Sequence, residues 1–517
     1  MRQFRQLEHN RKPHKYKKEA ELMKRTRIYA VMATVLSLHG CATFRSYNSE
    51  TATLVSSVAQ GQVDQALTQH ESTTGSDKDL LYFMEKGELQ RLKKLYPETI
   101  ATWTQADQLI AQWENEAKIT GSKVGGAVGS AVVNDKLRRY DGEDYEKVML
   151  STRLALAYLA AGKTEDALVE IKKTWERENL IKTQHEKDID EAENEAKQKG
   201  YKTNVEELNG YPIATLNSPD VTNLKNGYQN AFSHYLSGFL YEAAGETALA
   251  TASYRTAIEL QPSLSVLKDG LAGIDKRLAA PAVIPTAIEE PVVKTSTKKS
   301  KAKAKSKTKN TAAKQITTTP IKATSPFIAQ SNESDVLFVV ETGVAPFKKS
   351  ILIPLPIPYA GIVPISFPVL ETNPISANRA ISLTLSNNST TPLTTIASIE
   401  NLSRRSLKDN LPWIMVRAAI RAAVKGGAQA AVYQQSLIAG LAVNAINVVT
   451  EQADERTWGL LPSEITIARV KLPEGKSMVK IQTSQGVQEV SVNVSGKHVV
   501  IPIRVIGNSI YNLQASL

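Results

Sequence analysis

Apolar residues in the first half of the chain recur at the three- and four-residue spacing of amphipathic helices. The clearest segment, residues 234–262, also has small and aromatic residues at fixed intervals. These predicted packing residues are Gly238, Tyr241, Gly245, Ala250, Tyr254, Ala257 and Pro262. Small residues let two helices approach closely, a glycine marks the turn, and proline ends the second helix. The segment is therefore predicted to form a helix–turn–helix hairpin.

A second segment, residues 151–175, carries the same pattern in the same register. Its corresponding residues are Leu154, Ala155, Tyr158, Gly162, Ala167 and Ile171. Both segments resemble the tetratricopeptide repeat, a helix hairpin that buries its apolar face only by stacking on neighbouring hairpins. The resemblance implies an all-α solenoid with a groove that binds an extended peptide or a partner helix.

Two further segments match the repeat weakly, which predicts an irregular array. Residues 83–106 offer Gly87, Trp103 and Ala106, and residues 53–70 are a degenerate copy with Gly61 and Ala66. Two insertions interrupt the series. Residues 182–199 are densely charged and predict an exposed helix that extends beyond the core, whereas the glycine-rich residues 121–133 favour a flexible loop or tight packing surface over membrane insertion.

The composition changes abruptly after residue 280. Residues 281–326 begin with prolines and continue with nine lysines from Lys294 to Lys314, which predicts an extended, flexible linker. Proline-interrupted β-rich runs follow, and then a helical pattern over residues 406–451 that we interpret as two core helices or a hydrophobic interaction surface. The last segments alternate polar and apolar residues, as in antiparallel strands.

These patterns together predict an α+β protein with four units along the chain. They are a signal peptide at residues 1–40, a tetratricopeptide-like helical domain at 41–280, a Pro/Lys-rich linker at 281–333 and a mixed domain at 334–517 with antiparallel strands and two helices. A chain of 517 residues is too long for a single core, so several units are expected.

The N-terminal region has the anatomy of an export signal. A basic stretch with Lys24, Arg25 and Arg27 precedes an uncharged apolar run that is too short to span a membrane as a stable helix. A complete signal peptide begins at Met23, which makes that residue a candidate start of the natural protein.

Leu38, His39, Gly40 and Cys41 follow the apolar run and resemble the lipobox of bacterial lipoproteins. The resemblance implies cleavage before Cys41, a diacylglyceryl group on its thiol, and an acyl chain such as palmitate on the new amino terminus. Several acyl chains anchor a protein firmly to a membrane. Ala42 follows the cysteine, and by the same resemblance favours the outer membrane.

The net charge of +11 does not indicate a nucleic-acid partner, because most of it lies in two short segments. Residues 1–40 carry +7 and residues 294–314 carry +9, so the remainder of the chain carries −5. The lysine-rich segment is either a solvated spacer or a contact for anionic lipid or peptidoglycan.

The sequence predicts no catalytic, cofactor or metal site. No two histidines after residue 41 have the spacing of metal ligands, and Cys41 is the only cysteine; these histidines are His70, His185, His234 and His498. His234 occupies a helical repeat position, which predicts packing. Gly162-Lys163-Thr164 resembles part of a phosphate loop, but Ala157 stands where the first glycine belongs.

One charged run left two interpretations open. Glu451, Asp454, Glu455, Arg456 and Trp458 follow the predicted helices, and we favour a salt-bridged helix end over a binding site. The enzyme hypothesis therefore has neither a nucleophile nor a base in the sequence.

Apart from the lysine-rich linker, the mature chain resembles an uncharacterised family of bacterial lipoproteins with tetratricopeptide-like repeats. The resemblance is carried by residues 140–162, 336–356 and 450–475. We know of no assigned catalytic residues in this family, so none is transferred. It implies a scaffold or adaptor in the cell envelope, anchored on the periplasmic side of the outer membrane. The alternative is an accessory factor in cell-wall or outer-membrane assembly that binds glycan or lipid directly.

Overall fold

The computed structural model describes residues 47–72, 78–120, 139–199, 210–279, 333–357, 361–433 and 451–515. The predicted signal peptide, Cys41 with Leu38, His39 and Gly40, the glycine-rich residues 121–133 and the lysine-rich linker lie outside these ranges. What the sequence predicts for them stays a prediction.

The first half of the described chain is helical. Its α-helices are α1 (Tyr47–Ala59), α2 (Val63–Glu71), α3 (Leu80–Leu92), α4 (Tyr96–Thr120), α5 (Asp144–Ala160), α6 (Thr164–Lys199), α7 (Pro219–Thr222), α8 (Ala231–Ala243), α9 (Thr247–Leu260) and α10 (Ser265–Ala279). Short turns join α1 to α2, α3 to α4, α5 to α6 and α8 to α9, so each pair forms a hairpin. The predicted charged helix at residues 182–199 is confirmed as the second half of α6.

The four hairpins turn in the same way. Gly61, Gly162 and Gly245 have φ angles of 80°, 73° and 81°, and Lys94 has a φ of 60° at the same place in its hairpin. In the α5–α6 turn, the Lys163 N–H donates to the Tyr158 carbonyl over 2.8 Å, a bond that closes a helix end around a left-handed residue. The three turn glycines named from the sequence thus lie at the turns of the hairpins.

The helices of a hairpin touch where the repeat pattern places a small residue opposite a large one. A Cβ atom at Gly238 would lie 2.7 Å from the Tyr254 ring, and one at Gly87 would lie 2.2 Å from the Trp103 indole. Glycine is therefore required at both positions for the observed approach of the helices. The two pairs have the same separation along the sequence, so the weak copy at residues 83–106 is a structural repeat.

The second half of the chain contains the strands and one long helix. The strands are β1 (Glu333–Thr342), β2 (Phe347–Ile357), β3 (Gly361–Glu371), β4 (Ala380–Thr384), β5 (Thr390–Pro392), β6 (Thr394–Ser398), β7 (Glu464–Pro473), β8 (Gly475–Thr483), β9 (Gly486–Val494), β10 (His498–Ile506) and β11 (Ser509–Asn512). The helix is α11 (Ile399–Tyr433). The predicted mixed α+β class, with mostly antiparallel strands, is confirmed.

A central five-stranded sheet, in the order β11-β10-β1-β7-β6, has apolar residues on both faces. Leu337 and Val339 of β1 pack among the repeat helices. Val336, Phe338 and Val340, which alternate with them, pack against the four-stranded sheet β5-β4-β8-β9. The strand alternation thus produces three layers: helices, central sheet and second sheet.

The long helix α11 differs from the prediction for this region. It begins at Ile399, before the expected residue 406, and continues through Pro412. It packs on the β2–β3 hairpin, where Leu411, Ile414 and Met415 meet Phe367. Only one helix is present between residues 399 and 433, and residues 434–450, where the second was expected, are outside the described ranges. Among the described residues, no helix combines the length and apolar character needed to cross a membrane.

The repeat helices and the central sheet share one hydrophobic core, which the sequence did not indicate. Trp103 of α4 packs edge-on against Trp458, with ring centroids 6.0 Å apart. The reason is physical: the central sheet is apolar on both faces and needs a cover on each. The unit boundaries at 41–280, 281–333 and 334–517 remain a prediction, but the two described parts pack as a single body.

Candidate functional site

The predicted repeat residues lie where the hairpins pack. Leu154, Ala167, Ala250, Tyr254 and Ala257 are buried, whereas Tyr158 and Tyr241 are half-buried at the rim. The last predicted residue, Pro262, follows the end of α9 at Leu260. These residues therefore build the scaffold, and a binding surface has to be sought among the faces that the scaffold leaves open.

The first helices of the hairpins are largely covered by the chain itself. Arg91 of α3 forms two hydrogen bonds with Glu341 of β1, over 2.9 and 2.8 Å. Arg153 of α5 contacts both Glu88 and Glu341, at 2.9 and 3.3 Å. Together with Arg504 of β10, these side chains form a fully buried charge cluster. The central sheet therefore occupies most of the space in which a peptide was expected to bind.

The charges of this cluster stabilise one another. Burial alone would raise the pKa of the Glu341 carboxyl, but the guanidinium groups of Arg153 and Arg91 hold it at about 2. Burial lowers the pKa of Arg504 to about 10. Because these partners are all internal to the chain, the cluster ties the sheet to the helices.

A second set of charges joins the last repeat to the sheet. Glu242, Asp335 and His498 bring possible metal-ligand atoms within 4.8 Å of one another. Arg469 of β7, however, donates to Glu242 over 2.7 Å and to Asp335 over 2.6 Å, and Lys471 lies 3.2 Å from Asp335, so both carboxylates are already paired with cations of the chain. Burial also lowers the pKa of the His498 imidazole. The arrangement is an internal ion-pair network.

The charged run at residues 451–458 inserts between the repeats and α11. Glu451 forms the expected salt bridges, with Arg421 over 3.2 Å and with Lys425, but both partners lie within α11 and not at its described end. Trp458 is buried in the repeat core, and its backbone N–H donates to the Glu146 carboxylate over 2.7 Å. The neighbouring Gly459 N–H donates to Glu85 over 2.7 Å. The run thus anchors one half of the chain in the other.

The histidine predicted to pack does so. His234 of α8 is buried, its Nε2 lies 3.0 Å from a Glu178 carboxylate oxygen, and its ring meets Trp175 edge-on. His70 stacks on Tyr82, with ring centroids 4.7 Å apart. These contacts explain the two residues structurally.

A polar cleft opens where α5, α6 and α11 meet, with a volume of about 180 Å³. Its charged residues pair with one another: Arg139 contacts Asp141 at 2.7 Å, and Lys348 contacts Glu143. Glu143 also caps α5. Because these charges are balanced within the cleft wall, the cleft has no strong preference for a ligand of either sign.

A larger, mostly apolar groove of about 320 Å³ runs along the edge of the central sheet. One wall consists of the C-terminal turns of α5 and α8, with Leu156, Leu159, Phe239 and Leu240. The first half of β10 forms the floor, and residues 513–515 close one end. This is the part of the repeat surface that the sheet leaves uncovered.

The sequence did not single out the groove residues. His498 was considered only as a metal ligand, and Val500 belonged to a predicted strand with no assigned function. The groove exists because the last long strand, β10, lies next to the first, β1. Pairing between strands so far apart cannot be predicted from a single sequence.

Comparisons with known proteins give limited similarity. No protein-family model and no curated protein matches the chain. Among solved structures, the complex of the TPR2AB domain of yeast Sti1 with pHSP90 is 14% identical in sequence. The match covers 45% of this chain and 83% of the Sti1 chain, with a TM-score of 0.18. The C-terminal part of a TPR repeat-containing protein from Cytophaga hutchinsonii is 16% identical in sequence. The match covers 49% of this chain and 98% of the Cytophaga chain, with a TM-score of 0.12. Neither superposes well enough to support an argument, so the repeats of this chain are identified by their own packing.

Proposed function

We propose that the chain is a protein-interaction scaffold of the bacterial cell envelope, held at the outer membrane by lipid on Cys41. The observation that carries the scaffold part is the apolar groove between the repeat hairpins and β10. Four hairpins and a central sheet form one body around a shared core, and such a body presents a surface of fixed shape. The anchor is supported by the lipobox-like residues Leu38 to Cys41 in the sequence.

The structure changes which surface a partner would use. The inner faces of α3, α5 and α8 contact the central sheet, so a partner that fills a full repeat groove has no room there. The groove at the ends of α5 and α8 remains open, and it is lined by the repeat helices themselves. A protein segment bound there would still be recognised through the repeats.

Site-specific photo-crosslinking tests the scaffold. We place a photo-reactive amino acid at Ala160, which lines the groove, and as a control at Val169, an exposed residue of α6 outside the groove. The expected result is a discrete protein adduct from Ala160 and none from Val169 in cells that express the protein. Absence of protein adducts at both positions would contradict the scaffold function.

Membrane fractionation tests the anchor. A Cys41→Ala variant cannot receive a lipid on its thiol, and we expect it to move from the membrane fraction to the soluble fraction. A control substitution of the neighbouring residue, Ala42→Ser, keeps the thiol and should keep the protein in the membrane fraction. A Cys41→Ala protein that sediments fully with membranes would refute the anchor.

A second candidate function is direct binding of peptidoglycan or anionic lipid, and the nine lysines between Lys294 and Lys314 favour it. Sedimentation with purified peptidoglycan, with and without residues 294–314, distinguishes it from the scaffold. Binding that is lost on deletion would support this candidate, and no binding by the full chain would remove it.

A further inference from the structure

The outer edge of β10 is only partly paired. On one side, β10 pairs in parallel with β1 along its whole length. On the other side, β11 covers only Ile503 to Ile506. The Asp335 N–H donates to the Lys497 carbonyl, so odd-numbered residues of β10 direct their backbone groups to β1, and even-numbered residues direct theirs to the outer edge.

The outer row of hydrogen bonds ends at Pro502. The Leu513 N–H donates to the Pro502 carbonyl over 3.0 Å. The chain then bends at Gln514, whose side-chain amide exchanges two hydrogen bonds with the backbone of Asn493 on β9. Among the described residues, no strand continues the row next to Val500 and His498. Two N–H donors and two carbonyl acceptors therefore face the groove.

The groove beside this edge has two different walls. The wall formed by α5 and α8 is apolar, with Leu156, Leu159 and Phe239, whereas the opposite wall has Asn493 and Ser495 near the end of β9. Side chains of an added strand would point alternately to the two walls, because successive residues of a strand face opposite sides. The walls therefore select a segment that alternates apolar and polar side chains.

We infer that the free edge of β10 binds an extended peptide segment of a partner protein by strand addition. The segment pairs with the backbone of His498 and Val500 and places its apolar side chains between α5 and α8. This mode of recognition uses main-chain hydrogen bonds for affinity and a pocket for alternate side chains for specificity. The inference rests on the proposed scaffold function and names the class of partner segment that its groove recognises.

The position of Pro502 agrees with this assignment. Proteins protect the open edges of their sheets with proline, charged residues or covering segments, because unpaired edges attract other strands. Pro502 has no N–H at the place where the row ends, whereas among the described residues no proline and no paired strand covers the edge at His498 and Val500. The unprotected stretch coincides with the apolar groove, which is where a specific partner strand would gain side-chain contacts.

The test begins with selection of peptides from a random eleven-residue library displayed on phage, using the full chain as the target. Selected peptides are then measured against three variants of the full chain. Val500→Pro removes one edge N–H, Val500→Thr retains that N–H and the β-branched shape, and Ala243→Trp fills the groove without touching the edge. Ala252→Trp on α9, an equally exposed alanine outside the groove, is the control for Ala243→Trp.

We expect the peptides to alternate apolar and polar residues. Loss of one backbone hydrogen bond should weaken their binding about tenfold in Val500→Pro, with a similar loss in Ala243→Trp and no change in the other two variants. Hydrogen exchange at the amides of His498 and Val500 should be fast in the free protein and slow in the complex, which a purely side-chain contact would not produce.

Three results would overturn the inference. They are a selection without binders, peptides whose binding and amide protection do not depend on Val500, and edge amides that are already protected in the free protein because the chain covers them itself. None of these removes the scaffold, because partner adducts at Ala160 are measured separately. Conversely, peptide binding at β10 without any cellular adduct would refute the scaffold and leave the strand-addition site intact.

Discussion

The packing of Gly238 against Tyr254 depends on the absence of a side chain at residue 238. Tyr254 cannot easily move aside, since its hydroxyl donates to Glu242 over 2.7 Å and accepts from Arg469 over 3.0 Å. A single methyl group at residue 238 therefore has to displace a ring that is held by its bond to the backbone at one end and by hydrogen bonds to its hydroxyl at the other. Local repeat packing and the junction with the sheet are thus coupled through one tyrosine.

We expect Gly238→Ala to lower the free energy of unfolding by ~1–3 kcal/mol, because its Cβ would lie 2.7 Å from the Tyr254 ring. The matched control is Gly273→Ala in α10, where a Cβ meets nothing within 4 Å. That substitution should raise stability by about 0.5–1 kcal/mol, because alanine favours the helix. Urea unfolding measures the stability of both variants. Equal changes in the free energy of unfolding would contradict the close packing of residue 238 against Tyr254.

A second prediction at the scale of one residue concerns the protonation of Glu85. Burial raises the pKa of its carboxyl to about 8, although the N–H groups of Gly459 and Leu460 donate to it. The unfolded chain releases this proton near the ordinary value of 4.5, so between about pH 5 and 8 the folded state binds more protons. Stability should therefore fall as the pH rises through this window, by up to ~1.4 kcal/mol per pH unit from this group.

Unfolding measured from pH 5 to 8 in the wild type and in Glu85→Gln tests this dependence. The substituted side chain has no proton to lose, so the slope of stability against pH should become smaller. Identical slopes would mean that Glu85 is ionised throughout the range.

At the scale of the elements, the four hairpins differ at one turn position. Gly61, Gly162 and Gly245 adopt left-handed backbone angles at no steric cost, whereas Lys94 adopts them with a side chain. The α3–α4 turn is therefore the one hairpin turn among the four with strain at this residue. The sequence analysis did not identify this strained turn, because it recognised the repeat at residues 83–106 only from Gly87 and Trp103.

We expect Lys94→Gly to raise the free energy of unfolding by about 0.5–1 kcal/mol, since it removes the left-handed strain. Gly162→Ala should do the reverse and cost ~1–2 kcal/mol, although a Cβ there meets nothing within 4 Å. Thermal unfolding of both variants provides the comparison. A destabilised Lys94→Gly protein would show that the lysine side chain makes a contact worth more than the strain.

The helices were predictable and the sheet order was not, for reasons visible in particular residues. Gly238, Tyr254 and Gly245 report contacts within one hairpin, and local spacing is sufficient to indicate them. Glu341 pairs with Arg91 across 250 positions, and nothing in the spacing of either residue identifies the other. A lone glutamate inside an apolar strand is a sign of a buried ion pair, but it does not name the partner. The groove beside β10 depends on this same long-range pairing.

At the scale of the whole molecule, the buried cluster of Glu88, Arg91, Arg153, Glu341 and Arg504 holds the helical layer on the central sheet. It contains three guanidinium groups and two carboxylates, and every one of these side chains is almost fully buried. The cluster has a formal charge of +1, and loss of either carboxylate would raise this buried charge to +2. The two halves of the chain are therefore expected to lose their structure together.

Glu341→Gln should lower the free energy of unfolding by ~3–5 kcal/mol, because it leaves three buried guanidinium groups with Glu88 as the one remaining carboxylate of the cluster. The control is Glu371→Gln, which breaks an exposed pair with Lys349 at 3.2 Å and should cost at most about 1 kcal/mol. Tryptophan fluorescence and circular dichroism should give the same midpoint in each variant. Separate midpoints for helix and strand signals in Glu341→Gln would contradict the single shared core.

The adjacency of β1 and β10 has a consequence for how the protein folds. Glu341 and Arg504 lie 163 positions apart, and yet they belong to neighbouring strands at the centre of the molecule. The apolar faces of α3, α5 and α8 can be covered only after both strands have come together, and folding that depends on such distant pairs is slow. Until then these helical faces stay exposed to water, and holding chaperones are the natural means of protecting them.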